Sequence, residues 1–126
     1  MIKIVNKDKK PYNFFIGRPT NWGNPFSHIP DSLADVIVSS REESIECYRR
    51  WLAKEDFLDL RKDKRDWILN NVHFLKDKIL GCYCDISKER CHGEILKKLA
   101  EGESISSTEK VEVNIVSKKR VLGELF

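Results

Sequence analysis

Several things are scarce in this chain of 126 residues, and each absence excludes something. No apolar run approaches the ~20 residues that cross a bilayer, so no membrane span is expected. The N-terminus, Met1-Ile2-Lys3-Ile4-Val5, runs straight into Lys and Asp, which argues against a secretory signal and for a cytoplasmic location. Neither sign of charge dominates: 23 Lys and Arg stand against 20 Asp and Glu. The net charge of +3 suits an anionic small ligand and does not by itself indicate nucleic acid. The one basic block, Lys118-Lys119-Arg120, is too short for a nucleic-acid footprint. Repeats and low-complexity tracts are absent. Cysteine is limited to four residues, while 40% of the chain is hydrophobic, enough for a core that needs no disulfide framework. In a reducing compartment those thiols are core residues, metal ligands or catalytic groups.

What is present reads as alternating strands and helices. Residues 2–5 alternate as a short strand, and Tyr12 to Gly17 form a second, aromatic-rich one. Thr20 to Pro30 read as a loop. Residues 31–38 fit either a short helix or an extended segment. Ser39 and Ser40, with Glu42 and Glu43 three residues on, give a capping-box pattern. The helix behind it is expected over Arg41 to Ala53, with Ile45, Tyr48 and Leu52 inward. A second helix is expected over Lys64 to Leu75. Lys78 to Cys84 is a continuous apolar run, as in a central strand covered on both faces. A helix from about Cys91 to Ala100 follows, and Val111 to Val116 alternate as a strand. Residues 121–126 fit a further strand or a docked tail. This order predicts an α/β fold, a small three-layer, Rossmann-like sandwich with a short, mostly parallel or mixed sheet. Residues 1–103 would form the domain, with 104–126 a C-terminal extension packed on it.

Two segments carry candidate chemistry, and both are expected at the carboxyl ends of strands, where ligands sit in such sheets. In the segment Cys82 to Gly93, Cys82 and Cys84 share a strand face. Cys91 and His92 fall at a helix start, where a thiol is acidified and backbone amides favour an anion. Three readings stay open. The thiols and His92 can bind zinc, although C-x-C followed by adjacent Cys-His departs from the common ligand spacings. Cys84 or Cys91 can act beside His92 in catalysis, with Glu94 as acid or base. Or the thiols are plain core residues. Gly93 would allow close backbone approach.

In the segment Gly17 to Phe26, Arg18 offers a planar fork for phosphate or carboxylate. Pro19 and Pro25 stiffen the loop, and Gly17 and Gly23 relax its backbone geometry. Trp22 and Phe26 can stack on a base whose edge Asn21 or Asn24 reads. The competing reading is a packed loop in which Trp22 and Phe26 plug the core and Asn24 satisfies turn backbone.

These segments carry a resemblance. Ile16-Gly17-Arg18-Pro19-Thr20-Asn21-Trp22-Gly23-Asn24-Pro25-Phe26, followed by Leu80-Gly81-Cys82-Tyr83-Cys84 and Cys91-His92-Gly93-Glu94-Ile95-Leu96, resembles the family known as domain of unknown function 4326, found in bacteria, archaea and phages. The resemblance covers roughly residues 2–100. The stretch from Cys84 to His92 is also similar to domain of unknown function 488, with Gly93 where that family has Arg and Asp85-Ile86 in place of its usual acid. Neither resemblance implies a reaction.

The expectation is therefore a pocket that binds, and as an enzyme would process, a nucleotide, nucleoside or related anionic small molecule. A glycosidic or ribosyl bond is the chemistry its residue types suit. Its ligand contacts are Gly17, Arg18, Pro19, Trp22, Gly23, Asn24 and Gly93, and its reactive groups Cys84, Cys91, His92 and Glu94. The alternative is a ligand-sequestering protein or a zinc-stabilised interaction module. No cofactor and no oligomeric state is legible.

Overall fold

The computed structural model describes residues 2–30, 34–83, 90–107 and 111–118. The chain is α/β, as expected. Its elements are β1 (Lys3–Asn6), β2 (Phe14–Phe15), β3 (Phe26–Ser27), β4 (Val36–Val38), α1 (Arg41–Leu52), α2 (Lys62–Asn71), β5 (Ile79–Cys82), α3 (Gly93–Ala100) and β6 (Ile115–Lys118). A 3₁₀ turn, Val72–Leu75, ends α2, so the single helix expected up to Leu75 tightens in its last turn. Cys84, residues 31–33 and residues 121–126 lie outside the described residues.

The strands do not form one sheet. They divide into two of three strands each, ordered β1-β5-β2 and β3-β4-β6. The break lies at the loop after β2: the chain turns away at Gly17 and extends again only at Phe26. There the Pro25 carbonyl accepts the amides of Asp35 and Val36 at 2.8 and 3.0 Å, which starts a separate ladder. A two-residue strand inside an apparent loop has no periodicity to announce it.

In the first sheet all pairing is parallel, with β5 in the middle as its continuous apolar run predicts. Leu80 and Cys82 point inward and are buried. On the opposite side, Gly81 is crossed by the link from β1 to β2: a Cβ there would sit 2.6 Å from the Tyr12 ring. Only glycine lets that aromatic ring lie on the strand.

Helix α1 stands at the centre and packs against β3, β4, α2 and α3. Ile45, Tyr48, Trp51 and Leu52 are buried along its inner face, each stabilising the fold by up to about 1.5–3 kcal/mol. Its N-cap is the one the sequence predicts. Ser40 is extended, and its Oγ accepts the Glu43 amide at 3.2 Å. The Glu43 carboxylate takes hydrogen bonds from the hydroxyls of Ser39 and Ser40 and from the backbone N–H of Asn114. Those bonds, Ser39 first, hold its pKa below the usual glutamate value.

Through Asn114 this cap also anchors the C-terminal segment. β6 runs antiparallel to β4, starting later than the Val111–Val116 strand expected from alternation. Farther back, Arg49 donates to the Ile105 carbonyl at 2.9 Å while paired with Glu46 and Glu55. Among the described residues no helix is long and apolar enough to cross a membrane.

Glu43→Ala should lower the unfolding free energy by about 2–3 kcal/mol at pH 7, by loss of the charge-assisted hydrogen bonds from Ser39, Ser40 and Asn114. A carboxylate of lowered folded pKa stabilises above its unfolded value, about 4.3, and that stability is lost as pH falls through the folded value. The gap between wild type and variant in urea melts should therefore close below about pH 4. An equal gap at pH 3 and pH 7 would contradict this role.

Candidate functional site

The two motif segments meet because β2 and β5 are parallel neighbours and end on the same rim. The Ile16 amide donates to the Gly81 carbonyl at 2.8 Å. The Ile16 carbonyl then lies 2.8 Å from His92 Nε2. A carbonyl only accepts, so Nε2 carries the proton, and in the neutral ring Nδ1 is left as the acceptor. The Cys91 thiol lies 3.7 Å from that Nδ1. The imidazole edge also meets the Tyr48 ring at 5.1 Å and 90°. Ile16, Cys91 and Tyr48 thereby fix one ring.

A cavity of about 290 Å³ opens beside it. From the first segment, Gly17, Arg18, Asn24 and Phe26 line it; from the second, Cys82, Tyr83, Arg90 and His92. Helix α1 adds Arg41, Ser44 and Ile45, and the stretch after β3 adds His28 and Ile29. Three arginines and two histidines thus line one small volume. No carboxylate is among its described lining residues.

The loop that carries Arg18 is fixed from several sides. The Arg18–Pro19 peptide is cis. Arg18 Nη1 donates to the carbonyl of Asn24 at 2.8 Å and more weakly to that of Phe26 at 3.4 Å. Asn24 is buried; its Nδ2 donates to the Ser44 carbonyl at 3.1 Å and its Oδ1 accepts the Phe26 amide at 3.0 Å. Tyr48 donates from its hydroxyl to the Trp22 carbonyl at 2.8 Å. Burial, and next the nearby Cys91, push the Tyr48 pKa up, so it remains a donor. Gly23 lies against Arg18, where a Cβ would sit 3.0 Å from Cγ. Behind the loop, Lys64 is pushed down to about 8, first by burial; Asp35 opposes the shift, and Arg61 and Arg18 add to it.

Several expected contacts lie elsewhere. Trp22 is turned into the core, its ring edge-on to Trp67 at 4.7 Å, so it is no platform on the cavity wall. Pro19 is exposed and outside the cavity. Gly93 makes its close approach to the fold itself, since a Cβ would lie 2.9 Å from Ile16 Cδ1 and 3.1 Å from Ile4 Cδ1. Of the amides at this helix start, three are bonded within the fold: Gly93 donates to Cys91 Sγ at 3.4 Å, Glu94 to the Cys91 carbonyl and Ile95 to the His92 carbonyl, each at 3.0 Å. Positive charge on the described cavity wall comes from Arg18, Arg41 and Arg90.

The thiols separate as well. Cys82 lines the cavity, and its Sγ lies 3.7 Å from the Val5 carbonyl. Cys91 is buried beneath His92. Cys47 is buried in α1, and desolvation pushes its pKa up to about 12, which makes it inert. Glu94 is outside the cavity and paired with Arg90 at 3.1 Å. Among the described residues no three His, Cys, Asp or Glu side chains gather as metal ligands; Cys84 lies outside them.

Sequence reasoning passed over Arg41 and Arg90. Arg41 did leave a signal. It opens α1, where the helix dipole disfavours a cation and where Glu42 and Glu43 are the residues expected. A charge set against the local field is a reason to look for a ligand.

Asn24→Ala removes the bonds that fasten the loop to α1 and leaves the Phe26 amide and the Ser44 carbonyl without that partner. A loss of about 2 kcal/mol in chemical denaturation is expected. A loss under about 0.5 kcal/mol would mean that Asn24 does not hold the loop.

No curated protein and no solved structure matches the chain significantly. A family match does exist and spans both motif segments, over residues 3–102, leaving β6 beyond it. The chain belongs to the family described as domain of unknown function DUF4326.

Proposed function

We propose that the cavity binds a small anionic ligand of the nucleotide or nucleoside class. The observation that carries this reading is the approach of Arg18, Arg41 and Arg90 to one cavity of about 290 Å³ without a carboxylate in its described wall. Guanidinium forks match phosphate and carboxylate geometry, and a partly enclosed wall strengthens their pull. The volume sits at the low end of the ~300–1,000 Å³ common for small-molecule sites, which suits one nucleoside monophosphate and not a dinucleotide. Phe26, Ile29 and Tyr83 supply an apolar side for a base, taking the part expected of Trp22. The Asn24 and Ser44 side chains in the wall are engaged within the fold, with the Ser44 carbonyl, the Phe26 amide and the Arg41 carbonyl, and hold its shape.

Retention of the ligand is favoured over turnover by the placement of the reactive groups. Cleaving a glycosidic or ribosyl bond needs an acid–base group or nucleophile on the wall, and the described wall offers His28, His92 and Cys82, with no carboxylate to pair with either imidazole. His92 is engaged with Ile16, Cys91 is beneath the wall, and Glu94 is paired with Arg90.

Thermal unfolding with a panel of nucleosides, nucleoside monophosphates and inorganic phosphate tests the proposal. A monophosphate at about 100 times its Kd should stabilise by about 2.7 kcal/mol. The matching nucleoside should do much less, and Arg41→Ala should weaken the monophosphate about tenfold or more through loss of a charge-assisted contact. Equal stabilisation by nucleoside and monophosphate, or an unchanged Arg41→Ala, would sink the reading. Product appearing in the same mixtures would replace retention by turnover.

A further inference from the structure

The outer face of the first sheet is built unlike its buried one. Parallel partners point to the same side, so Lys3, Val5, Phe15, Ile79 and Gly81 share a face opposite Leu80 and Cys82. Over Gly81 lies the Tyr12 ring. Phe15 stands 6.3 Å from Tyr12 and 5.1 Å from Tyr83, meeting the latter edge-on at 87°. Tyr83 is 62% exposed and Tyr12 41%. Three aromatic rings joined through Phe15, two of them this open, form an apolar patch of the kind that marks an interaction surface.

Lysines accompany the rings. Lys7 Nζ lies 5.2 Å from the Tyr83 ring centre. Lys3 is exposed on the same face, and Lys9 and Lys10 are exposed on the turn that follows β1. Between residues 2 and 15 these four lysines face a single carboxylate, Asp8. The polar side chains at this edge are engaged within the fold. Asn6 donates to the Tyr83 carbonyl at 3.2 Å and accepts the Asp8 amide at 2.9 Å, Asp8 pairs with Lys7 at 2.7 Å, and Asn13 accepts the Ile79 amide at 2.8 Å. Among the described residues the surface therefore offers chiefly flat rings and ammonium groups, with Asn6, Asp8 and Asn13 already bonded within the fold.

We propose that this face binds single-stranded DNA without sequence preference. Bases stack on Tyr12 and Tyr83, with Phe15 bracing both rings, and phosphates run past Lys3, Lys7, Lys9 and Lys10. Unpaired bases expose the π-faces that such rings take, whereas a duplex hides them. Whole-chain charge conceals this surface because four lysines are diluted among acidic residues elsewhere. The face does not depend on the cavity ligand; the two adjoin at Tyr83, which belongs to both.

Fluorescence anisotropy of the full chain with a labelled deoxyoligonucleotide of about a dozen nucleotides tests this, since site sizes of roughly 4–16 are usual for such surfaces. Binding should weaken with salt by about 0.7 log unit per log unit of salt for each phosphate neutralised. The same sequence as duplex should bind at least tenfold more weakly. Tyr12→Ala should lose about fivefold or more, the least expected for one stacked base. Lys9→Ala with Lys10→Ala, on an exposed turn that leaves folding intact, should reduce the salt slope by about 1.4. Absence of binding at low salt, a duplex bound equally well, an RNA strand bound tenfold tighter than DNA, or a slope unmoved by the lysine pair would each overturn the proposal. Nucleoside monophosphate stabilisation of the lysine variant should equal that of wild type, so failure of this face and failure of the cavity reading are separable.

Discussion

The hydrogen bond from His92 Nε2 to the Ile16 carbonyl at 2.8 Å holds the two motif segments together across 76 positions of sequence. It joins the end of β2 to the start of α3, and it fixes the imidazole tautomer in doing so. Around it, Tyr48 braces the ring from α1 and Gly93 lets α3 come down on Ile16 and Ile4. A larger residue at Gly93 would lift the helix and lengthen that bond. The cavity lies where these constraints leave space, and its arginines come from three separate segments that the bond and the Asn24–Ser44 contact keep in place.

The fold was legible where the sequence carries local chemistry. Ser40 and Glu43 mark the start of α1, and the unbroken apolar run before Cys82 marks the central strand; both signals survive because they depend on neighbours in sequence. β3 was hidden, since two residues paired through a proline carbonyl leave no pattern. The division into two sheets was hidden with it. Within the site, sequence brought Gly17, Arg18, Asn24 and His92 to one rim. It could not tell that Trp22 turns inward to Trp67, because an aromatic residue in a loop has the same spelling whether it packs or stacks. Nor could it tell that the first amides of α3 are already bonded, which depends on where Cys91 Sγ points. Arg41 was readable only as a charge opposed to its helix dipole.

The C-terminal segment shows a different dependence. The family match ends at residue 102, yet β6 completes the second sheet, and Glu43 serves both the α1 cap and Asn114. One carboxylate thereby couples the start of the central helix to a strand beyond the family match. Since Arg41 sits in the first turn of that helix, the placement of a cavity cation is tied to a segment peripheral in sequence.

Recognition of an anion by three guanidinium groups is the central claim, and a crystal structure with a nucleoside 5′-monophosphate tests it most directly. The phosphate should lie within about 3.2 Å of nitrogen atoms from at least two of Arg18, Arg41 and Arg90, with the base toward Phe26 and Tyr83. A monophosphate bound elsewhere, or one whose phosphate faces solvent while the arginines bond only to protein, would contradict it.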